Sequence, residues 1–452
     1  VTGGLSPRQV ANQLERCLRA EVDIMRVLGG WTARVVENDE RLALARDIGW
    51  RAEHGEALQY RLRRLRTTER MIRLPDEHWR ALIELIDGAP GTNELIAAVY
   101  RVVTPALVEV YEGLLADCDP LADELTLRLV SRSLLPDHRE RLDWAEAFLA
   151  DRQIDAAYVA EVEVALAAAG GMIVRSDAVA PDREDDEAAN GTGFWVLPRP
   201  NVERIELGSE YRIAADGEPV SYCPPFEEFA PGPAEVLTVH HGLMPEIASL
   251  CIIGAVLHEV PDRPWAFYRD FAIQCADEVR HIGLLLRRLG ELGEGPAAHA
   301  FPTWTFYDAV AFLPAAERTL VFNAVVEGNV VETLHDRVEA MHQAGLTAAA
   351  HLMDWISADE SLHLRNGMVW LAESEADVDA LLDRGQFLLG EVMRQKGTTE
   401  KVFDSASESM SDGRFYAPRK NSIAPIAREL GGFTLAQITR LIESAAGRTI
   451  RR

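Results

Sequence analysis

The pentapeptides Asp277-Glu278-Val279-Arg280-His281 and Asp359-Glu360-Ser361-Leu362-His363 repeat one pattern, Asp-Glu-x-x-His, within a single chain. Residues three apart share a helix face, so each motif aims a carboxylate and an imidazole at the same point. Each has a lone glutamate upstream: Glu246 lies 32 residues before Glu278, and Glu327 lies 33 before Glu360. The first midpoint falls between Glu259 and Pro264, where Pro261 and Pro264 cannot continue a helix. The second falls beside Gly345. Folding the chain at both turns returns each motif to the level of its glutamate, on arms of about 16 residues or roughly 24 Å. The halves repeat with a shift of 81 to 82 residues. Four such helices offer Glu246, Glu278, His281, Glu327, Glu360 and His363 to one centre, the donor set of a dinuclear metal site in a four-helix bundle. An all-α fold follows.

Glu…Asp-Glu-x-x-His, present twice, resembles the ferritin-like superfamily of di-iron carboxylate proteins. That superfamily includes rubrerythrins, ribonucleotide reductase small subunits, acyl desaturases, multicomponent monooxygenases and p-aminobenzoate N-oxygenases. The motif-bearing stretch, roughly 239–372, covers under a third of the chain. Its run from Phe267 to Gly293 is most similar to a little-characterised bacterial branch. The resemblance implies a ferritin-like bundle holding two iron ions, with a mixed manganese and iron pair left open. It implies a non-heme di-iron oxidase or oxygenase that activates O2 to oxidise a small organic substrate, with electrons from an external donor. Two narrower or different readings stay beside it: an amine N-oxygenase of specialised metabolism, and a non-catalytic metal-binding or peroxide-scavenging protein.

The chain departs from the better-known branches. Leu362 stands where a second Arg of the Asp-Glu-x-Arg-His type would be, and Ile356 where the N-oxygenases carry a third histidine. No rubredoxin-like Cys-x-x-Cys pair occurs. Pro245 directly precedes Glu246, which sets that ligand in a first helical turn or beside a kink.

Iron suits such a donor set because hard carboxylate oxygens tolerate both of its common oxidation states. Asp277 and Asp359, each just before a ligand glutamate, are expected to accept from the outer N–H of a ligand histidine, with Arg280 completing the network. Leu243, Leu250, Ile253, Ala324 and Val331 form the expected apolar wall. Cys275 reads as a small core residue and Asn323 as a group near substrate or water, while a place at a pocket mouth stays open for the pair His240-His241 beside an ordinary one.

A net charge of −26 over 452 residues argues against nucleic acid and anionic membranes as partners. No unbroken apolar stretch approaches 18 residues, and the first residues lack the charged and apolar regions of a signal peptide. Five scattered cysteines suit a reducing compartment, so a cytoplasmic protein is expected.

Along the chain, residues 1–170 read as a helical domain with runs at Leu14–Val36, Leu42–Leu65, Leu95–Leu115 and Leu121–Ala150. Their hairpin–connection–hairpin plan suggests a degenerate relative of the metal domain. His54 directly follows Glu53 and no Glu-x-x-His is present, so a metal-free packing or dimerisation role is expected, with a homodimer left open. Residues 171–238 read as an irregular linker with short strands at Phe194–Leu197 and Tyr211–Ala214. Residues 239–394 are the ferritin-like dimetal domain, including a fifth helix at Ala376–Arg394. Residues 395–452 form a tail with a short helix at Leu435–Ala446.

Overall fold

The computed structural model describes residues 4–65, 75–174, 194–198, 202–215, 218–221, 223–261, 263–301, 306–311, 313–372, 434 and 436. The helix expected at Ala376–Arg394 lies outside these residues, as does that at Leu435–Ala446 but for Ala436. The described chain is all-α. Its helices are α1 (Pro7–Trp31), α2 (Asn38–Arg64), α3 (Glu77–Asp87), α4 (Thr92–Ala97), α5 (Thr104–Asp117), α6 (Glu124–Leu129), α7 (Leu135–Leu149) and α8 (Ala156–Ala168). They continue with α9 (Pro233–Glu259), α10 (Trp265–Glu291), α11 (Phe306–Val310), α12 (Ala315–Thr319), α13 (Glu327–Gln343) and α14 (Thr347–Ala372). π-helical stretches at Ala98–Val103, Val130–Leu134 and Leu320–Val326 run directly into α5, α7 and α13.

The described residues fall into two compact units. Unit 1 draws on Val1–Val35, Ala43–Asn201 and Leu257–Ile273; unit 2 draws on Val36–Leu42, Val202–Val256 and Gln274–Arg452. In unit 1, Ser6 and Gln9 form a capping box that starts α1, with Pro7 in its first turn. From Leu14 to Trp31 this helix is buried almost all round, charged residues included. Arg26 shows how that burial is sustained: its guanidinium donates to the carbonyls of Trp195, Leu257 and His258 at 2.9–3.1 Å.

The strands expected in the linker do not form. Residues Phe194–Leu197 are irregular, and the Trp195 carbonyl is taken by Arg26 instead of a ladder. Tyr211–Ala214 reaches only an isolated bridge, Ile213 with Phe301, through Phe301 N–H to Arg212 O (2.7 Å) and Ala214 N–H to Phe301 O (2.9 Å). Period-2 patterning needs a neighbouring strand to become a sheet, and these runs have none among the described residues.

Both turns in the motif-bearing region fall at the expected breaks. Helix α9 ends at Glu259 and α10 begins at Trp265, with the two prolines between them. At the second turn Gly345 adopts φ +78°, the left-handed region that favours glycine. Leu346 N–H reaches Met341 O (2.8 Å) and Gly345 N–H reaches His342 O (3.1 Å), the double bond pattern of a Schellman cap. Of the two positions open for Glu246, the first turn is ruled out: Pro245 sits inside α9, which begins at Pro233.

Hydropathy also needs correction. One 18-residue window of α9 is long and apolar enough to cross a membrane by length and composition alone. Since 61% of that window is buried inside the protein, the helix has the pattern of a core element.

Candidate metal centre

Helices α9, α10, α13 and α14 bring all six expected ligands together, every one of them within unit 2. Glu278, His281, Glu327, Glu360 and His363 are 0–2% exposed, and Glu246 is half-buried. Two groups of four emerge, one of Glu246, Glu278, His281 and Glu360, the other of Glu278, Glu327, Glu360 and His363. Within each group one ligand atom per residue lies within 4.8 Å of the others. The groups share Glu278 and Glu360, the carboxylates of the two motifs. The π stretch Leu320–Val326 ends directly before Glu327; such widened turns re-aim the residues that follow and recur at functional sites.

Both imidazoles turn Nδ1 inward. His281 Nδ1 lies 3.1 Å from Glu246 Oε2 and 3.5 Å from Glu278 Oε2. His363 Nδ1 lies 2.8 Å from Glu360 Oε2 and 3.4 Å from Glu278 Oε1. Each Nε2 faces the aspartate of the opposite motif: His281 with Asp359 at 3.0 Å, His363 with Asp277 at 3.3 Å. Arg280 bridges these aspartates, 2.9 Å from Asp277 and hydrogen-bonded to Asp359. One guanidinium therefore serves both motifs. Leu362 is 51% exposed and points away from any such role.

Buried carboxylate oxygens test whether this cluster suits a cation. Among the described residues neither oxygen of Glu278 has a well-aligned hydrogen-bond partner, nor does Oε1 of Glu327. An unpaired carboxylate in a dry interior is costly unless something positive faces it, and a metal ion among these donors supplies that. The donor set fits.

Without an ion the cluster retains protons. Burial raises Glu278 to about 8, against the opposing pull of His281 and His363. Burial, then the neighbouring Glu360 and Glu278, hold Glu327 well above the usual carboxylate range. Burial pushes Glu360 the same way, but His363 and His281 outweigh it and keep the group at about 2. Burial disfavours both imidazolium ions, yet Asp359 and Glu246 hold His281 well above its ordinary value. Glu360 and Asp277 likewise hold His363 at about 10.

Around the donors, Leu243, Leu250, Ile253 and Val331 are 0–2% exposed. Of the expected wall, the Ala324 side chain lies outside the described residues. Ile356, at the place of a third histidine, is buried. Burial, then Glu278, keeps the Cys275 thiol well above its usual range, so it stays protonated and inert. Asn323 Nδ2 donates to Gln274 Oε1 (2.9 Å) and to the His363 carbonyl (3.3 Å). Asn323 Oδ1 and Gln274 Nε2 are left buried with no hydrogen-bond partner among the described residues. His240 is no mouth residue: it is buried, bonded to Ser221 Oγ (2.9 Å) and the Pro296 carbonyl (3.0 Å), and stacked on Phe301. The chain matches no protein-family model, no curated protein and no solved structure.

Proposed function

We propose that the six donors hold two iron ions within a ferritin-like four-helix bundle, and that the protein is an O2-dependent oxidase or oxygenase of a small organic substrate. The single observation that carries this reading is the pair of overlapping four-residue groups sharing Glu278 and Glu360. Shared carboxylates between two terminal Glu/His pairs are what a dinuclear centre requires, and a mononuclear site has no use for them. When bound, the iron pair supplies the electrons that reduce O2, replenished by an external donor.

The protein's own part is orientation and exclusion. Glu246 with His281 and Glu327 with His363 terminate the two ends, while Glu278 and Glu360 face both. Asp359 and Asp277 fix the imidazole tautomers by accepting from Nε2, which leaves each Nδ1 lone pair for an ion and raises its basicity. The aliphatic wall of Leu243, Leu250, Ile253 and Val331 would keep bulk water from the donors and give a small organic substrate an apolar surface to bind. The unpartnered amide atoms of Asn323 and Gln274 are the polar groups best placed to hold a water or a substrate heteroatom. No observation favours the narrower amine N-oxygenase, given Ile356 in place of the third histidine.

Metal analysis tests the assignment. Replacing Glu278 or His363 by alanine should abolish binding of two irons by this cluster, and unchanged iron content would refute it. Exposure of the reduced protein to O2 should oxidise two irons per cluster and stop. Continued ferric accumulation would instead indicate storage, and peroxide turnover without organic substrate would indicate a scavenger.

A further inference from the structure

Unit 1 contains a second convergence of ligating side chains. Glu21 on α1, His54 on α2 and His138 on α7 are 0%, 2% and 1% exposed. Glu21 Oε1 lies 2.6 Å from His138 Nε2 and 3.3 Å from His54 Nδ1, and the three ligand atoms lie within 4.8 Å of one another. Comparable separations, 2.8–3.6 Å, join the imidazoles and carboxylates of the six-residue cluster. His54 Nδ1 is buried and faces Glu21 at 3.3 Å without a well-aligned hydrogen-bond partner among the described residues, while Nε2 is held by Asp137 at 3.0 Å. That is the disposition of His281 and His363, with Nδ1 inward and Nε2 on an aspartate.

Spacing explains the smaller donor set. Arg51-x-x-His54 and Leu135-x-x-His138 keep the i, i+3 interval of the metal motifs but lack the glutamate at i. Both shared carboxylates are thereby lost. The π stretches of unit 1 run into Thr104 and Leu135, as Leu320–Val326 runs into Glu327. Arg51 occupies only the far oxygen of Glu21 (Oε2, 2.9 Å) and is otherwise held by Asp47 (2.8 Å) and Thr104 (3.3 Å). Tyr111 OH donates to Glu21 Oε1 at 3.2 Å, which steadies the carboxylate. Three carboxylates (Glu21, Asp47, Asp137) against one guanidinium leave two negative charges when both imidazoles are neutral. One divalent ion balances them.

We infer that Glu21, His54 and His138 form a mononuclear site for one divalent first-row transition ion, in addition to the six-residue cluster. Two nitrogens and one oxygen favour ions of the cobalt, iron and zinc type over magnesium or calcium, which prefer all-oxygen sites.

The test titrates the full chain, stripped with a chelator, with Co2+ alone. The Glu278→Ala/Glu360→Ala variant should keep one tightly bound cobalt per chain, insensitive to a large excess of Mg2+, and adding His138→Gln should reduce that to none. A double variant that melts cooperatively yet binds no cobalt would overturn the inference, because the network would then be balanced by protonated imidazoles. If the double variant does not fold, cobalt-soaked wild-type crystals decide. An anomalous peak between Glu21, His54 and His138 supports the site. Its absence overturns the inference whether or not the six-residue cluster is loaded, and peaks at neither place would overturn the dinuclear proposal too.

Discussion

Metal uptake by the six-residue cluster should be coupled to proton release, with a strength that follows from its burial. Consider the ion held by Glu246, Glu278, His281 and Glu360. At pH 6 two of these groups carry protons that the ion must displace: Glu278, raised to about 8 chiefly by burial, and His281, held well above its ordinary value by Asp359 and Glu246 despite burial. Displacing two protons makes the apparent affinity rise about 100-fold per pH unit, or about 2.7 kcal/mol, below the lower of the two values. The sign is fixed, since raising the pH removes competing protons and strengthens binding. Above about 8 Glu278 is already ionised and the slope should fall. Competition against a chelating indicator at pH 6, 7 and 8 measures the slope. Calorimetry in two buffers of different ionisation enthalpy counts the protons directly. An affinity that changes less than about 3-fold from pH 6 to 7, with no proton released, would refute the reasoning.

The same groups set the stability of the metal-free protein. Glu278 is raised from 4.5 to about 8 and His363 from 6.5 to about 10, so the native state holds protons that the unfolded chain gives up. The melting temperature without metal should therefore fall as pH rises from 6 to 9, and metal should restore more stability at pH 8 than at pH 6; scanning calorimetry checks both. Asp359→Asn removes the negative charge facing His281 Nε2 and leaves only a neutral amide there, which should weaken one of two ions by about 10–100-fold, with Asp277→Asn doing the same for the ion at His363; two-site metal titration separates them. Arg280→Leu, which copies Leu362, should cost less than Asp359→Asn in the same titration, because its guanidinium is half exposed and acts only through the aspartates. Gly345→Ala has space for its Cβ but forces alanine to φ +78°, which should cost about 1–2 kcal/mol in denaturant unfolding without altering metal content.

Much of unit 2 was legible because it rests on helix periodicity and two turn signals. Glu246, Glu278, Glu327 and Glu360 sit at distances that only a hairpin at Pro261–Pro264 and another at Gly345 can reconcile. What escaped the sequence was pairing between elements. Nothing local says that Asp359 faces His281 and not its own helix's His363, or that Arg280 spans both aspartates. Tyr211–Ala214 carries strand patterning, but whether a strand forms depends on a partner elsewhere in the chain. The Glu21, His54 and His138 cluster was hidden for a chemical reason. A search for Glu-x-x-His passes over Arg51-x-x-His54 and Leu135-x-x-His138, where the interval persists and only the acid has changed. Pro245 left two positions open because proline occurs at helix starts as well as in helix interiors, and only the extent of α9, from Pro233, decides between them.

The crosswise aspartates bear on how such a site can be taken apart. Each hairpin contributes a histidine to the cluster and the carboxylate that steadies the other hairpin's histidine. Neither is a self-contained half. A fragment ending before residue 306 would present His281 with no acceptor for its outer nitrogen, and a fragment starting there would strand His363 in the same way. The internal duplication in the sequence is thus an exchange of parts, and grafting one motif onto another helical scaffold would transfer the ligands while leaving their alignment behind.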